Sequence, residues 1–283
     1  MLRPSSGHRA AYAGWTSVAE RIRLDRLVES RGIAESRERA RAIIMSGAVF
    51  VDGKRADKPG MMVLPDAKLE VHGNPLRYVS RGGLKLEKAL RIFEVDPSGK
   101  ICIDCGASTG GFTDVLLQNG AGRVYAVDVG YGQLAWKIRQ DSRVVNLERC
   151  NLRYLTQEQI PEMLDLAVMD VSFISIRKIL PVIQSFLKQG ADFICLIKPQ
   201  FEAGRDQVGK NGVVRDPAVH ARVICDCLAA SREMGYSVMG LDFSPIRGPE
   251  GNIEFLVHLK NGCFSAPEPD VEAVVSAAHG GTQ

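Results

Sequence analysis

The run Ile101–Asp114 (ICIDCGASTGGFTD) leaves this chain few folds to choose from. A short β-branched stretch ends in an acid, opens into a loop of small residues, and continues as a helical pattern. That order is strand, tight glycine turn, helix. In it, backbone N–H groups and a helix N-terminus meet a ligand at the carboxyl edge of a parallel sheet. A second strand pattern, Arg123–Asp128, ends in another acid. An acid at that place commonly holds the two hydroxyls of an adenosine ribose. The pattern predicts an adenosine-bearing cofactor.

The glycine loop alone leaves other chemistries open. Gly106, Ser108 and Gly110 also spell the G-x-S-x-G nucleophile elbow, which sits between strand and helix too. An elbow needs an acid and then a mobile histidine later in the chain. His220 falls in a helical pattern and His258 in a strand pattern, neither well suited. A nicotinamide-binding loop reads G-x-G-x-x-G, and Ser108 stands where its second glycine belongs.

Length and charge narrow the partners. The 283 residues suffice for one large domain and a small one. The net charge of +3 is unevenly placed, since residues 1–80 hold 14 Lys+Arg against 9 Asp+Glu while the remainder is slightly acidic. A basic front segment suits an anionic partner. No apolar run approaches a membrane span and the first twenty residues lack a hydrophobic signal core, so a cytoplasmic protein with no membrane partner is expected. Seven cysteines without regular spacing fit a reducing compartment. Cys102 and Cys105 lack a second pair at zinc spacing and lie in an apolar strand, where cysteine acts as a small hydrophobe. No metal site is expected.

Small and polar residues predict a disordered tail over 1–20. A compact segment, 21–72, follows. Leu24, Leu27 and Val28 have helical spacing, punctuated by Gly32; Ser36 can cap a second helix with the apolar face Ala40, Ile43 and Ile44. Gly47 ends that helix, and Ala48–Lys54 (AVFVDGK) reads as a strand entering an Asp-Gly turn. Leu69 and Val71 supply another short strand. This order resembles the alpha-L RNA-binding domain of the ribosomal protein S-four type. The resemblance implies that Arg37, Arg41, Lys54 and Arg55 contact RNA phosphates, positioning the protein rather than reading sequence.

After a linker over 73–77 comes a unit at 78–262 with strand patterns at Ile101–Asp104, Val124–Asp128, Val144–Asn146, Leu166–Asp170 and Phe193–Lys198. Helical patterns alternate with them, which predicts an α/β fold with a parallel, doubly wound sheet. Ser237–Phe243 and Ile253–Leu259 read as a closing antiparallel pair, and 263–283 as a flexible tail.

Four polar residues stand where an ordinary core would not place them. Lys85 opens a helix, Asp170 and Lys198 end strands, and Glu254 sits between Ile253 and Phe255, where a buried glutamate must find a partner. In this order they resemble the K-D-K-E tetrad of the FtsJ-like 2′-O-ribose methyltransferases. The phrases S-R-G-G-x-K-L, D-C-G-A-S-T-G-G-F-T-D, D-V-S-F-I-S, K-P-Q-F-E and G-N-x-E together resemble the TlyA family over residues 22–260. The resemblance implies a Rossmann-like methyltransferase with a mostly parallel seven-stranded sheet, preceded by a small α+β RNA-binding domain. It implies S-adenosylmethionine as cofactor and ribosomal RNA or ribosomal subunits as partner, with 2′-O-methylation of cytidines. Lys85, Asp170, Lys198 and Glu254 would be catalytic. Asp104, Gly106, Ser108, Gly110 and Asp128 would bind the cofactor, with Asn151 near its adenine. Members of the family are also named haemolysins, but no span or basic amphipathic helix long enough to insert is present to support that activity. A catalytically inactive RNA-binding protein would lack a tetrad member, and all four are here. The glycine-rich, basic stretch Gly204–Arg215 is the expected lid.

Overall fold

The computed structural model describes residues 21–281 apart from 35, 46, 73–76 and 249. The tail expected to be disordered, 1–20, and most of the expected linker lie outside the described residues. The chain divides into two compact units, Met1–Pro75 and Leu76–Gln283.

The first unit carries β1 (Ile22–Arg23), α1 (Leu24–Ser30), α2 (Arg37–Met45), β2 (Val49–Val51), β3 (Lys54–Arg55), β4 (Met62–Val63) and β5 (Leu69–Val71). The Ser36 hydroxyl accepts from the Arg39 N–H, so the cap at α2 forms. Asp52 and Gly53 both take positive φ, the conformation of a tight hairpin turn, and β2 pairs antiparallel with β3 and β5. Leu24, Val28, Ala40 and Ile44 are fully buried between the helices. Asp25 is buried beside them and takes both Arg23 and Arg37 as partners.

The second unit contains α3 (Gly83–Ile92), β6 (Ile101–Cys105), α4 (Gly111–Gln118), β7 (Arg123–Val127), α5 (Trp136–Arg139), β8 (Val144–Leu147), β9 (Leu164–Met169), α6 (Leu180–Gln184), β10 (Leu187–Ile197), α7 (Pro199–Glu202), α8 (Pro217–Glu233), β11 (Tyr236–Phe243), β12 (Phe255–Asn261) and α9 (Val271–Gly280). The sheet order is β11-β12-β10-β9-β6-β7-β8. Strands β10, β9, β6, β7 and β8 run parallel, and β12 is antiparallel to both neighbours. Period-two alternation feeds one core on each face. Cys102, Val124, Leu166 and Leu196 pack with Leu86, Val115 and Leu116 of the α3–α4 layer. Ile103, Val127, Phe193 and Val257 pack with Ile183 and Ile224 of the α6–α8 layer. Cys102 and Cys105 belong to opposite cores, because three residues along a strand reverses the face. Burial pushes the Cys102 thiol up to about 12.

At their starts, β10 and β12 depart from the sequence pattern. β10 begins at Leu187 rather than Phe193, its polar start joining β9 across a register shift. β12 begins at Phe255, leaving Glu254 just before it. The C-terminal segment is also corrected. Instead of a flexible tail throughout, Val271–Gly280 is a helix capped by Asp270, with Val275 and Ala278 buried against α8 and β11. No described helix is long and apolar enough to cross a membrane.

Candidate active site

The chain leaves β8 and re-enters the sheet on the other side of β6, so β6 and β9 form a topological switch point. Open parallel sheets bind ligands at such a point. The crevice is tight there. Gly106 has φ +85°, and a Cβ on it would meet the Asp170 carbonyl oxygen at 2.9 Å. Only glycine lets the two strand ends approach this closely.

Asp170 and Lys198 directly follow the adjacent strands β9 and β10. Because β12 is antiparallel to β10 with Ile197 opposite Phe255, the residue before β12 lands beside the residue after β10. That places Glu254 at the same sheet edge, and Lys85 reaches it from the first turn of α3. Lys85 Nζ lies 3.0 Å from Asp170 Oδ2 and 2.6 Å from Glu254 Oε2. Lys198 Nζ lies 2.5 Å from Asp170 Oδ1 and donates to Ser172 Oγ at 3.1 Å. Among the described residues neither Asp170 Oδ1 nor Glu254 Oε2 receives a well-aligned hydrogen bond, so those two contacts are ion pairs. Lys85 and Lys198 are each 7% exposed and Glu254 1%.

Two ammonium groups and two carboxylates thus neutralise one another in a nearly closed space. Burial opposes the charge on Asp170, but Lys85 and Lys198 outweigh it and hold the carboxyl below its usual range. Burial likewise opposes the charge on Lys85, and Asp170 and Glu254 outweigh it, raising the ammonium. Both groups are charged at neutral pH.

Beside the tetrad opens a cavity of about 440 Å³, within the range of small-molecule sites. Of the residues expected at the cofactor, Gly106, Ser108, Asp128 and Asn151 line it, together with Asp170. Asp128 follows β7 and accepts from the Ser108 and Gly130 N–H groups, one on each oxygen, leaving a lone pair on each for a ligand. Asn151 Oδ1 accepts from the Arg153 N–H. Asp104 and Gly110 stand behind the wall. Gly110 caps the start of α4 at φ +91°, where a Cβ would crowd Leu134 and Ile138. Asp104 is fully buried, its Oδ2 accepting from the Thr113 N–H and hydroxyl while Oδ1 has no hydrogen-bond partner among the described residues. Burial, only partly offset by Thr113, pushes this carboxyl up to about 7.

The sequence reading missed Ser172, Phe173 and Gln133 at this cavity. Phe173 is 90% exposed with φ +64°, a conformation costly for a residue with a side chain. The signal was present, since Ser172 and Phe173 lie inside D-V-S-F-I-S. Asn252, from G-N-x-E, is buried and ties the end of Gly204–Arg215 down. Its Oδ1 accepts from the Val214 N–H and its Nδ2 donates to the Gly212 carbonyl.

In the first unit, Arg41, Lys54 and Arg55 are exposed. Arg37 differs from them, because its Nε donates to the buried Asp25 at 3.0 Å. It is a half-exposed structural partner before it is anything else.

Residues 78–261 match the FtsJ-like methyltransferase family and residues 22–69 match the S4 domain. A Bacillus subtilis protein named as the rRNA methyltransferase YqxC is 54% identical, over 92% of this chain and 95% of its own. The 16S/23S rRNA (cytidine-2′-O)-methyltransferase TlyA of Mycobacterium tuberculosis is 46% identical, over 86% of this chain and 91% of its own. A solved Streptococcus thermophilus structure carrying a hemolysin name is 47% identical, covering 93% of this chain and 97% of its own at a TM-score of 0.73. A seven-stranded sheet with its last strand reversed, a charged tetrad at its carboxyl edge and a match over residues 78–261 lead to one conclusion: this chain belongs to the FtsJ-like methyltransferase family, with an S4 domain ahead of the catalytic unit.

Proposed function

We propose that this protein is an S-adenosylmethionine-dependent methyltransferase that places 2′-O-methyl groups on cytidines of ribosomal RNA. The observation that carries the reading is Asp170, which joins two buried lysines at the lip of the cavity walled by Gly106, Ser108 and Asp128. The activity for which the Mycobacterium tuberculosis relative is named supports the substrate.

The residues present fit the cofactor. Gly106 lets the ends of β6 and β9 close up into a smooth cavity wall, and Asp128 offers a carboxylate at the place of a ribose diol. When bound, S-adenosylmethionine supplies an electrophilic methyl group. Asp128 would bind the ribose, Ser108 and Gly106 would line the amino-acid side of the loop, and Asn151 would border the adenine.

The tetrad addresses the other reactant. A ribose 2′-hydroxyl is too weak an acid to give up its proton unaided at neutral pH. Lys198 already pairs with Asp170 and Ser172, so its remaining N–H direction serves the substrate oxygen. There the ammonium stabilises the developing negative charge, or, in the fraction that has released a proton to solvent, the neutral amine takes the hydroxyl proton. Lys85 pairs with both Asp170 and Glu254 and holds them in place. Most of the acceleration comes from holding the oxygen in line with the methyl group. Arg41, Lys54 and Arg55 of the first unit would hold RNA phosphates, with Arg37 behind them. The work belongs in the cytoplasm, where ribosomes are made.

Labelled S-adenosylmethionine incubated with separated ribosomal subunits, followed by nucleoside mass spectrometry, tests the reading. The expected product is 2′-O-methylcytidine. Label on a nucleobase, or no transfer to either subunit, overturns it.

A further inference from the structure

Two stretches of chain leave neighbouring strands at the site, Asp170–Ser175 after β9 and Lys198–Glu202 after β10. They touch at three levels. Asp170 pairs with Lys198 at 2.5 Å. Phe173 and Phe201 contact with ring centroids 5.1 Å apart. At the far end, the Ser175 hydroxyl donates to Glu202 Oε2 at 2.7 Å, and the Ile176 N–H donates to Glu202 Oε1 at 2.7 Å. Arg177 Nε stands 3.6 Å from the same carboxylate, whose side chain is only 2% exposed.

A buried carboxylate is costly unless donors surround it. Here every donor named comes from one short segment, Ser175–Arg177, while the acid belongs to the turn that begins at Lys198. The segment between Asp170 and Ser175 forms the rim of the cofactor cavity through Val171, Ser172, Phe173 and Ile174. It carries Phe173 at φ +64°, and such a residue persists only where its surroundings hold it. One end of the rim is fixed by the strand. The other is fixed by Glu202.

We propose that Glu202 is a positioning residue of the methyl-transfer site, clamping the cofactor-cavity rim to the turn that presents Lys198. The inference rests on reading Asp170 and Lys198 as catalytic. Without the clamp, the Ser172 hydroxyl and Lys198 Nζ lose their fixed relation, and the cavity wall is free to shift. Displacements of about 1 Å at a reacting centre cost roughly 100-fold in rate.

The test uses the full chain with Glu202→Ala, Glu202→Gln and Ser175→Ala. The readouts are kcat and KM for ribosomal subunits, S-adenosylmethionine affinity by calorimetry, and melting temperature. Glu202→Ala is expected to lower kcat roughly 10- to 100-fold and to weaken cofactor binding, with KM for RNA little changed. Gln can still accept from the Ile176 N–H and donate to Ser175 Oγ, so Glu202→Gln should restore most of both losses. Ser175→Ala, which removes one of the two bonds, should fall between. A merely structural acid would lower the melting temperature and leave kcat and cofactor affinity alone. That outcome in folded Glu202→Ala overturns the proposal, as does a Gln variant as impaired as Ala. If Glu202→Ala does not fold, wild-type kcat and cofactor affinity in Ser175→Ala overturn it instead. Lys198→Ala run alongside separates the two levels, because its activity would remove the catalytic reading and not the clamp alone.

Discussion

Each unit of this protein holds an aspartate between two cations, and the two arrangements differ in kind. In the first unit Asp25 is held by Arg23 and Arg37, whose side chains are 41% and 45% exposed. In the second, Asp170 is held by Lys85 and Lys198, each 9% exposed by side chain. Arginine keeps its charge, presents a fixed planar fork, and remains hydrated on its outer edge. It makes a staple. Two lysines drawn inside with a second carboxylate balance charge largely out of solvent, the setting in which we propose a hydroxyl is handled. Charge pairing alone does not mark a site. The exposure and chemistry of the cation do.

The most forceful way to break this contrast is Lys198→Ala. If the lysine pair were only a staple, the variant would lose stability and keep turnover. We expect the reverse, a fall in kcat of roughly 1000-fold or more in a folded protein with intact cofactor affinity, read by single-turnover transfer at saturating RNA. Lys198→Arg refines the result, since its charge cannot be given up. Near-inactivity identifies a proton acceptor, and surviving activity identifies a charge.

Asp104 supplies a third case, a buried aspartate with no cation in hydrogen-bond contact among the described residues. In the fold it keeps its proton up to about pH 7, whereas the unfolded chain releases it near pH 4. Its effect on stability is therefore most favourable below about pH 4 and declines as pH rises to 7, by about 1.4 kcal/mol per unit. Denaturant titrations of wild type and Asp104→Asn across this window should diverge with that slope. Parallel curves would remove the assignment.

Asp128 is a fourth, held by backbone N–H groups instead of side chains. Asp128→Ala should weaken S-adenosylmethionine binding by about 1–3 kcal/mol, measured by calorimetry on a folded variant. Unchanged affinity would sink the ribose assignment.

Asp25→Asn should have the smallest consequence. Its partners are half in solvent, so the loss is about 1 kcal/mol, and turnover at saturating RNA should be unchanged. The carboxyl is held down to about 2, by the Arg23 hydrogen bond and, against burial, by Arg37. Its stabilisation is present above about pH 4 and is lost as pH falls toward 2. A matching contrast tests the surface. Arg41→Ala should reduce the salt dependence of RNA binding by about one unit of slope without moving the melting temperature, while Arg37→Ala should move both.

What the sequence disclosed follows the same division. The strand–glycine–helix unit was legible because β6 alternates cleanly and positive-φ glycines cannot be hidden. Asp170 and Lys198 were legible because strand ends announce themselves. Glu254 was read one element too far along, since the buried run Asn252–Glu254 mimics the strand it precedes. The start of β10 was obscured by Lys188, Gln189 and Gly190. Arg37 was read as an RNA contact alone because its partner lies twelve residues away across a helix pair, a tertiary fact. Helix α9 was overlooked because one short amphipathic stretch says little until α8 and β11 are there to receive it.

The place of β12 has a consequence for timing. It is the last strand among the described residues, yet it sits inside the sheet between β10 and β11, and Glu254 stands at its threshold. A chain made from its N-terminus can form β6 through β10 before the acid that faces Lys85 has been added. Contacts between residues so far apart in sequence form late. Lys85 then waits 169 positions for one of its two counter-charges. The four charged side chains therefore meet only once β12 has joined the sheet.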